Sequence, residues 1–407
     1  MTVSNYTSAT VLAPNGTQVY PNVEDTNGNF FSNSGSIVDT LGRTPVTVTT
    51  SCNGNSHQTC YNVLNPQGGR STYTVTTTSI NVSTAFGQSG VTEYSGSLTV
   101  VQSIALPNGT SYLFGYDSYG ELDSITLPTG GIVTYGYTNY QDSYGNKNRW
   151  VTSRTSGGGT WSYTPQVISS CSVGCQQQVT VSKPSGDNAV YTFTLNNGAW
   201  SNQVQAYTGA VSPSNLLATK STSWNFSNPC QTQGCTGNQY IQMAQDTITW
   251  TGGSSPSHTK QYTYDSTADN NITSLKEWKF YTGSLPSTPD RETDFVYLNT
   301  SPYTSKNILD RVATMTIKDN TGAIKFRKDV SYDQGSFTGS NCITGASQHD
   351  DTNYGCSATT RGNPTSITVY TDPVTPDLPP GSAGWIIRHS HPVSGFLPPG
   401  RVARTKN

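Results

Sequence analysis

Few side chains in this sequence are of a kind that does chemistry, and their spacing scatters them further. The five histidines are His57, His258, His349, His389 and His391, and the densest titratable cluster among them is His349-Asp350-Asp351. A histidine beside carboxylates could relay a proton or help hold a metal, but nothing else at ligand spacing accompanies this run. It is expected to be a solvated insertion loop between Cys342 and Cys356. The other dense group of carboxylates is Asp117, Glu121 and Asp123. Glycoside hydrolysis needs two carboxylates facing each other across a cleft, and the first of these three is a turn residue of the repeat described below. The sequence holds no G-x-S-x-G elbow, P-loop or H-E-x-x-H. No catalytic residue, cofactor or metal site is expected, and the chain is expected not to be an enzyme.

Cysteine is the remaining reactive type. The eight cysteines fall into local pairs: Cys52 with Cys60, Cys171 with Cys175, Cys230 with Cys235, and Cys342 with Cys356. An even count in polar, Gly/Asn/Gln-rich stretches reads as disulfides formed outside the cytosol. Zinc fits poorly, because His57 and His349 lie within the outer pairs with no C-x-x-C beside them. Pairing by proximity is one of 105 arrangements that eight cysteines allow. Such short bridges would pin loop tips rather than hold a core. The opening Met1-Thr2-Val3-Ser4-Asn5 has neither the basic nor the apolar part of a signal peptide. Extracellular cysteines and this opening agree if the chain is a piece of a longer protein.

The elements that must position these residues are strands. Apolar residues make up 32% and charged residues 11% of the chain, with 24 Tyr against 11 Phe. Disorder normally goes with high net charge and few aromatics. Here the net charge is −2, and Thr and Tyr suit a half-wet pleated surface. The same neutrality removes the basic stripe that nucleic acid requires. No apolar run approaches the length of a membrane span.

An internal repeat organises the middle of the chain. Leu106-Pro107-Asn108-Gly109-Thr110-Ser111-Tyr112-Leu113-Phe114-Gly115-Tyr116-Asp117 returns as Leu127-Pro128-Thr129-Gly130-Gly131-Ile132-Val133-Thr134-Tyr135-Gly136-Tyr137, an offset of 127 − 106 = 21 residues. A weaker copy, Gly158-Gly159-Thr160-Trp161-Ser162-Tyr163, follows after an expected insertion loop over residues 139–146. Tyr112, Phe114 and Tyr116 alternate with small or polar residues, the period of a strand with one buried face. Asn108-Gly109 supplies a tight hairpin turn before it, and Asp117-Ser118-Tyr119-Gly120 closes it with an Asp that can cap its own turn. Degenerate Asp-x-x-Gly turns recur at Asp25–Gly28, Asp39–Gly42 and Asp319–Gly322.

The run from Phe114 to Gly130, with Tyr116, Asp117, Gly120, Pro128 and Gly130 at its defining places and Tyr135 and Tyr137 in the next copy, resembles the YD repeat of RHS and teneurin-type proteins. The match is specific over Leu106–Tyr163. The resemblance implies an all-β fold, an extended antiparallel sheet of hairpin repeats that spirals into a shell or part of one, on large secreted or surface-attached proteins. Some members of that family enclose a toxic C-terminal domain. No stretch here matches the family's shell-closing core with its self-cleavage motif, and no toxin domain is identifiable, so neither activity carries over.

Residues 1–372 are thus expected to form a β-repeat body, clearest over 104–165. Residues 373–407, rich in proline and basic, are expected to form an irregular tail. The expected function is that of a non-catalytic scaffold in an extracellular or cell-surface protein, with the remainder of a longer repeat chain as neighbour. Carbohydrate or a cell-surface protein is the expected surface partner, because repeated amphipathic aromatics suit concave binding faces. The rival expectations are a secreted carbohydrate-active β enzyme and a shell fragment of a polymorphic toxin lacking its effector.

Overall fold

Thr-, Val- and Tyr-rich runs become strands almost everywhere, including Leu275 to Tyr281, too short and aromatic for a helix. The computed structural model describes residues 10–20, 22–31, 37–142, 145–169, 175–195, 199–226, 241–265, 270–335, 345–370 and 386–390. The chain divides into two units: residues 45–266 with 275–291, and residues 1–44 with 267–274 and 292–407. Among the described residues no helix is long and apolar enough to cross a membrane.

In the larger unit every strand from Val46–Thr50 to Ser257–Tyr264 pairs antiparallel with the next in the chain. It is an all-β meander of hairpins. Its buried apolar residues are mostly small, among them Val82, Val133, Val179, Ala189 and Val190. Polar side chains fill the remaining interior by bonding one another. Thr259, fully buried, meets Thr247 at 2.8 Å and the Tyr281 hydroxyl at 2.7 Å. Buried hydroxyls paired in this way avoid the 1–3 kcal/mol or so that an unsatisfied one costs.

One turn recurs. In Leu106–Thr110 the first residue donates its N–H to the fifth residue's carbonyl and accepts from the glycine at the fourth place. The same pair of bonds closes Asp117–Glu121, Leu127–Gly131, Asp142–Asn146 and Lys183–Asp187. This is a three-residue hairpin with a glycine bulge, and that glycine stands at φ +83° at Gly109 and +80° at Gly120. Where the first residue is aspartate, its carboxylate takes over the free N–H groups. Asp117 Oδ1 accepts from Tyr119 N at 2.8 Å and Glu121 N at 3.0 Å.

The tyrosine before that aspartate has its own task. Tyr116 donates its hydroxyl to the Val101 carbonyl at 2.7 Å, Tyr137 to Leu122 at 2.7 Å and Tyr264 to Met243 at 3.1 Å; the Trp224 indole N–H reaches Ser201 at 3.0 Å. In each case the donor lies three residues beyond a paired residue, and the acceptor lies two residues before that residue's partner: Leu113 with Ser103, Thr134 with Ser124, Gln261 with Gln245, Ser221 with Gln203. The backbone ladder stops there, and an aromatic donor completes it. Burial pushes the phenols of Tyr116, Tyr137 and Tyr264 up, so they stay protonated as donors. The residue before two of them is glycine: a Cβ on Gly115 would stand 2.2 Å from Ser124 Oγ, and on Gly136 2.6 Å from Ser153 Oγ, so those hydroxyls would have to turn aside.

Of the expected insertion loop over residues 139–146, residues 139–141 are strand: Ile132–Gln141 pairs with Lys147–Ser156, and the chain reverses between Asp142 and Asn146. Tyr140 packs against Trp150 with ring centroids 5.7 Å apart, so the added residues lengthen the hairpin.

In the smaller unit Val312–Asp319, Ile324–Tyr332 and Pro364–Tyr370 pair in chain order. Tyr332, followed by Asp333, repeats the hydroxyl bond to Val312 at 2.9 Å. Ile386–Ser390 adds an antiparallel strand to Pro364–Tyr370, where an irregular tail was expected. Between Pro380 and Pro392 there is no proline to break it, and Ile386-Ile387 favours a strand. The other residues of 373–407 lie outside the described residues. Four short strands over Val11–Phe31 form a separate antiparallel sheet, bridged to the rest of this unit at Asn15–Ile308 and Asn29–His349.

Candidate functional site

The repeat places a dense charge cluster on the larger unit. Arg149, on strand Lys147–Ser156, reaches Asp117 Oδ2 at 3.0 Å and Glu121 Oε2 at 2.9 Å. Its guanidinium lies 3.9 Å over the Tyr119 ring and 5.7 Å from that of Tyr137. Burial raises the Glu121 carboxyl above its ordinary range, with Arg149 opposing the shift. Asp123, the third of the candidate carboxylates, accepts from its neighbour Ser124 at 2.9 Å. Asp117 and Glu121 are thus brought together, but around one guanidinium, with no open gap of the kind glycoside hydrolysis requires.

Beside this cluster opens a groove of about 500 Å³ lined by Tyr135, Tyr137, Arg149, Trp150, Val151, Arg154 and Tyr163. A second hollow of about 340 Å³ shares Arg149 and Trp150 with it and continues to Tyr140, Asn148, Gln177 and Phe193. Tyr135 and Tyr137 are repeat-defining residues, whereas the two arginines escaped the sequence reading. Arg149 lies 32 residues from Asp117, and no local spacing signals a partner at that distance.

The His349-Asp350-Asp351 run, expected to be a solvated loop, is instead packed on the N-terminal segment of its own unit. His349 Nδ1 lies 2.7 Å from Asp351 and Nε2 2.9 Å from the Asn27 carbonyl. Asp350 caps the short helix Asp351–Tyr354 through the N–H groups of Thr352 and Asn353. Pairing of Asn29 with His349 as an isolated β-bridge explains the difference, since it pulls the run out of solvent. Burial and the neighbouring Asp350 push the Glu24 carboxyl up to about 7. Burial would raise Asp350 too, but the Asn353 and Thr352 donors hold it below its ordinary value. Glu24 and Asp350 together line a hollow of about 190 Å³ with Lys306, Asn353 and Tyr354. Among the described residues no three His, Cys, Asp or Glu side chains are grouped to hold a metal.

Of the cysteines, Cys52 and Cys60 are joined at 2.05 Å, tying the turn after Val46–Thr50 to the strand Gln58–Leu64. Cys175 and Cys356 each take part in a separate disulfide. Cys171, Cys230, Cys235 and Cys342 lie outside the described residues.

No family model matches the chain, and no curated protein does. Among solved structures it is similar to the Tc holotoxin pore of Photorhabdus luminescens carrying a TccC3 mutation, with 10% identity and a TM-score of 0.29 over 86% of this chain and 19% of that one. It is also similar to the complex of TcdB2–TccC3 with Cdc42, with 10% identity and a TM-score of 0.27 over 84% and 16%. A porin-like protein from Bacteroides uniformis is similar over 77% of this chain and 93% of its own, with 10% identity and a TM-score of 0.22. The chain spans about a fifth of the length of the toxin chain in that holotoxin pore.

Proposed function

We propose that this chain is a non-catalytic scaffold segment of a secreted or cell-surface protein built like the YD-repeat family, and that it offers its sheet surface to carbohydrate or to a partner protein. The observation that carries this reading is the fate of the repeat's own polar groups. Asp117 spends one oxygen on two backbone N–H groups and the other on Arg149. Tyr116 and Tyr137 spend their hydroxyls on strand carbonyls. Groups committed to holding hairpins are not available to move protons or attack a substrate. The Cys52–Cys60 disulfide supports an oxidising location.

The test is to incubate the oxidised chain with a panel of plant, bacterial and animal polysaccharides and measure new reducing ends. The scaffold reading expects none above a heat-treated control. Turnover that disappears in a folded Glu24→Gln or Asp117→Asn variant would replace the scaffold with a carbohydrate-active enzyme.

A further inference from the structure

We propose that the hollow lined by Lys306, Glu24 and Asp350 is a binding site for a small zwitterion of the amino-acid class, its carboxylate on Lys306 and its ammonium on the acceptors of the remaining wall. The inference goes beyond the scaffold reading and does not depend on it. The site lies wholly within the smaller unit, where residues 12–24 meet residues 306 and 350–354. Lys306 is half-buried. Its ammonium lies 4.2 Å from the Tyr354 ring centroid and makes no hydrogen bond or ion pair among the described residues. Burial, with Arg361 nearby, pulls it below the ordinary lysine value, and Asp333 and Asp350 oppose this only from a distance. The other polar groups of the wall are rich in acceptors. Gln18 gives its Nε2 to the Asn22 carbonyl and Asn353 its Nδ2 to Asp350, which leaves both side-chain oxygens unpaired. Glu24 Oε1 also has no hydrogen-bond partner.

These groups select the ligand. A metal ion or a polyamine would face the Lys306 ammonium, and among the described residues no three His, Cys, Asp or Glu side chains are grouped to hold a metal. A phosphate would find one cation set against the carboxyls of Glu24 and Asp350. Opposite charges on one small molecule suit both sides. A carboxylate accepts from Lys306, and an ammonium brings three N–H donors to a wall that is short of them. The hollow of about 190 Å³ is somewhat larger than the roughly 150 Å³ cavity that takes up benzene, so molecules of the size of alanine or serine fit. Leu12 and Tyr354 supply apolar wall for a short side chain.

Calorimetric titration of the whole oxidised chain with glycine, alanine, serine and γ-aminobutyrate tests this, with their amides and the matching amine-free acids as one-charge controls. At least one of the four is expected to bind with a dissociation constant of about 1 mM or tighter, its controls about tenfold or more weaker. Lys306→Met keeps an apolar stem against Tyr354 and should erase the advantage of the amino acid over its amide. Gln18→Leu should weaken amino acid and amide together. Lys183→Gln, on a turn of the larger unit, should change nothing. Circular dichroism melting confirms that each variant is folded. No binding by any of the four, equal binding of the one-charge controls, or an advantage that survives Lys306→Met would each overturn the proposal. The scaffold reading stands in all of those cases. Only chemical conversion of the bound molecule would end it, and that outcome would leave the site in place.

Discussion

The hairpins between Leu106 and Tyr163 and the polar cluster joining residues 24–29 to 349–363 both bury carboxylates and backbone carbonyls, but over very different lengths of chain. In the hairpins the partners that close turns and strand ends are near in the chain. Asp117 caps a turn two and four residues on, and Tyr116 and Tyr137 each reach back 15 residues to the preceding strand. In the cluster the partners are remote. Arg361 donates to the Asn27 carbonyl 334 residues away, and His349 meets the same carbonyl across 322. Local satisfaction makes a unit that can be repeated and lengthened, as the longer hairpin at Tyr140 shows. Remote satisfaction makes a junction that exists once and depends on every member.

That difference predicts unequal sensitivity. The largest effect is expected at Arg361, which is 7% exposed and donates to the carbonyls of Asn27, Tyr354 and Gly355. Arg361→Ala removes all three bonds, leaves the Tyr354 carbonyl without its donor, and should cost about 3 kcal/mol or more in urea unfolding. Limited proteolysis should then cut first near residues 24–29. Asp117→Ala is expected to cost about 2 kcal/mol, through the loss of two turn bonds and of one of the two carboxylate partners of Arg149. Its damage should stay local, with amide exchange rising at Tyr119 and Glu121 and the neighbouring hairpins unchanged.

The smallest effect is in the pH response. Glu24 titrates near 7 in the fold against an ordinary 4.5, so the folded state holds more protons than the unfolded one between those values. Stability from this group is full below about 4.5 and is lost as pH rises towards 7. Glu24→Gln should abolish that slope and stabilise the protein at pH 8 by on the order of 1 kcal/mol, discounted for partial solvent screening. Melting temperatures at pH 5 and pH 8 read it directly.

The contrast also explains what could be read in advance. Asp117 and Gly120 were legible because a capped turn and a glycine bulge need only five residues in order. The alternation Tyr112, Phe114, Tyr116 likewise announces a strand. The receiving carbonyls Val101 and Leu122 were not legible, because any residue type carries a carbonyl. Arg149 and Arg154 were missed for another reason: strand register across a lengthened hairpin decides which arginine meets Asp117 and which faces an open groove. The His349 run was misplaced because Asn27 and Asn29, which draw it in, lie more than 300 residues earlier.

The central claim is that aromatic donors finish the ladders where backbone pairing stops. Urea unfolding of Tyr116→Phe, Tyr137→Phe and Tyr264→Phe, singly and combined, tests it most directly, since only a hydroxyl is removed each time. About 1 kcal/mol is predicted for each, adding in the triple variant. Unchanged midpoints in all three single variants would contradict it.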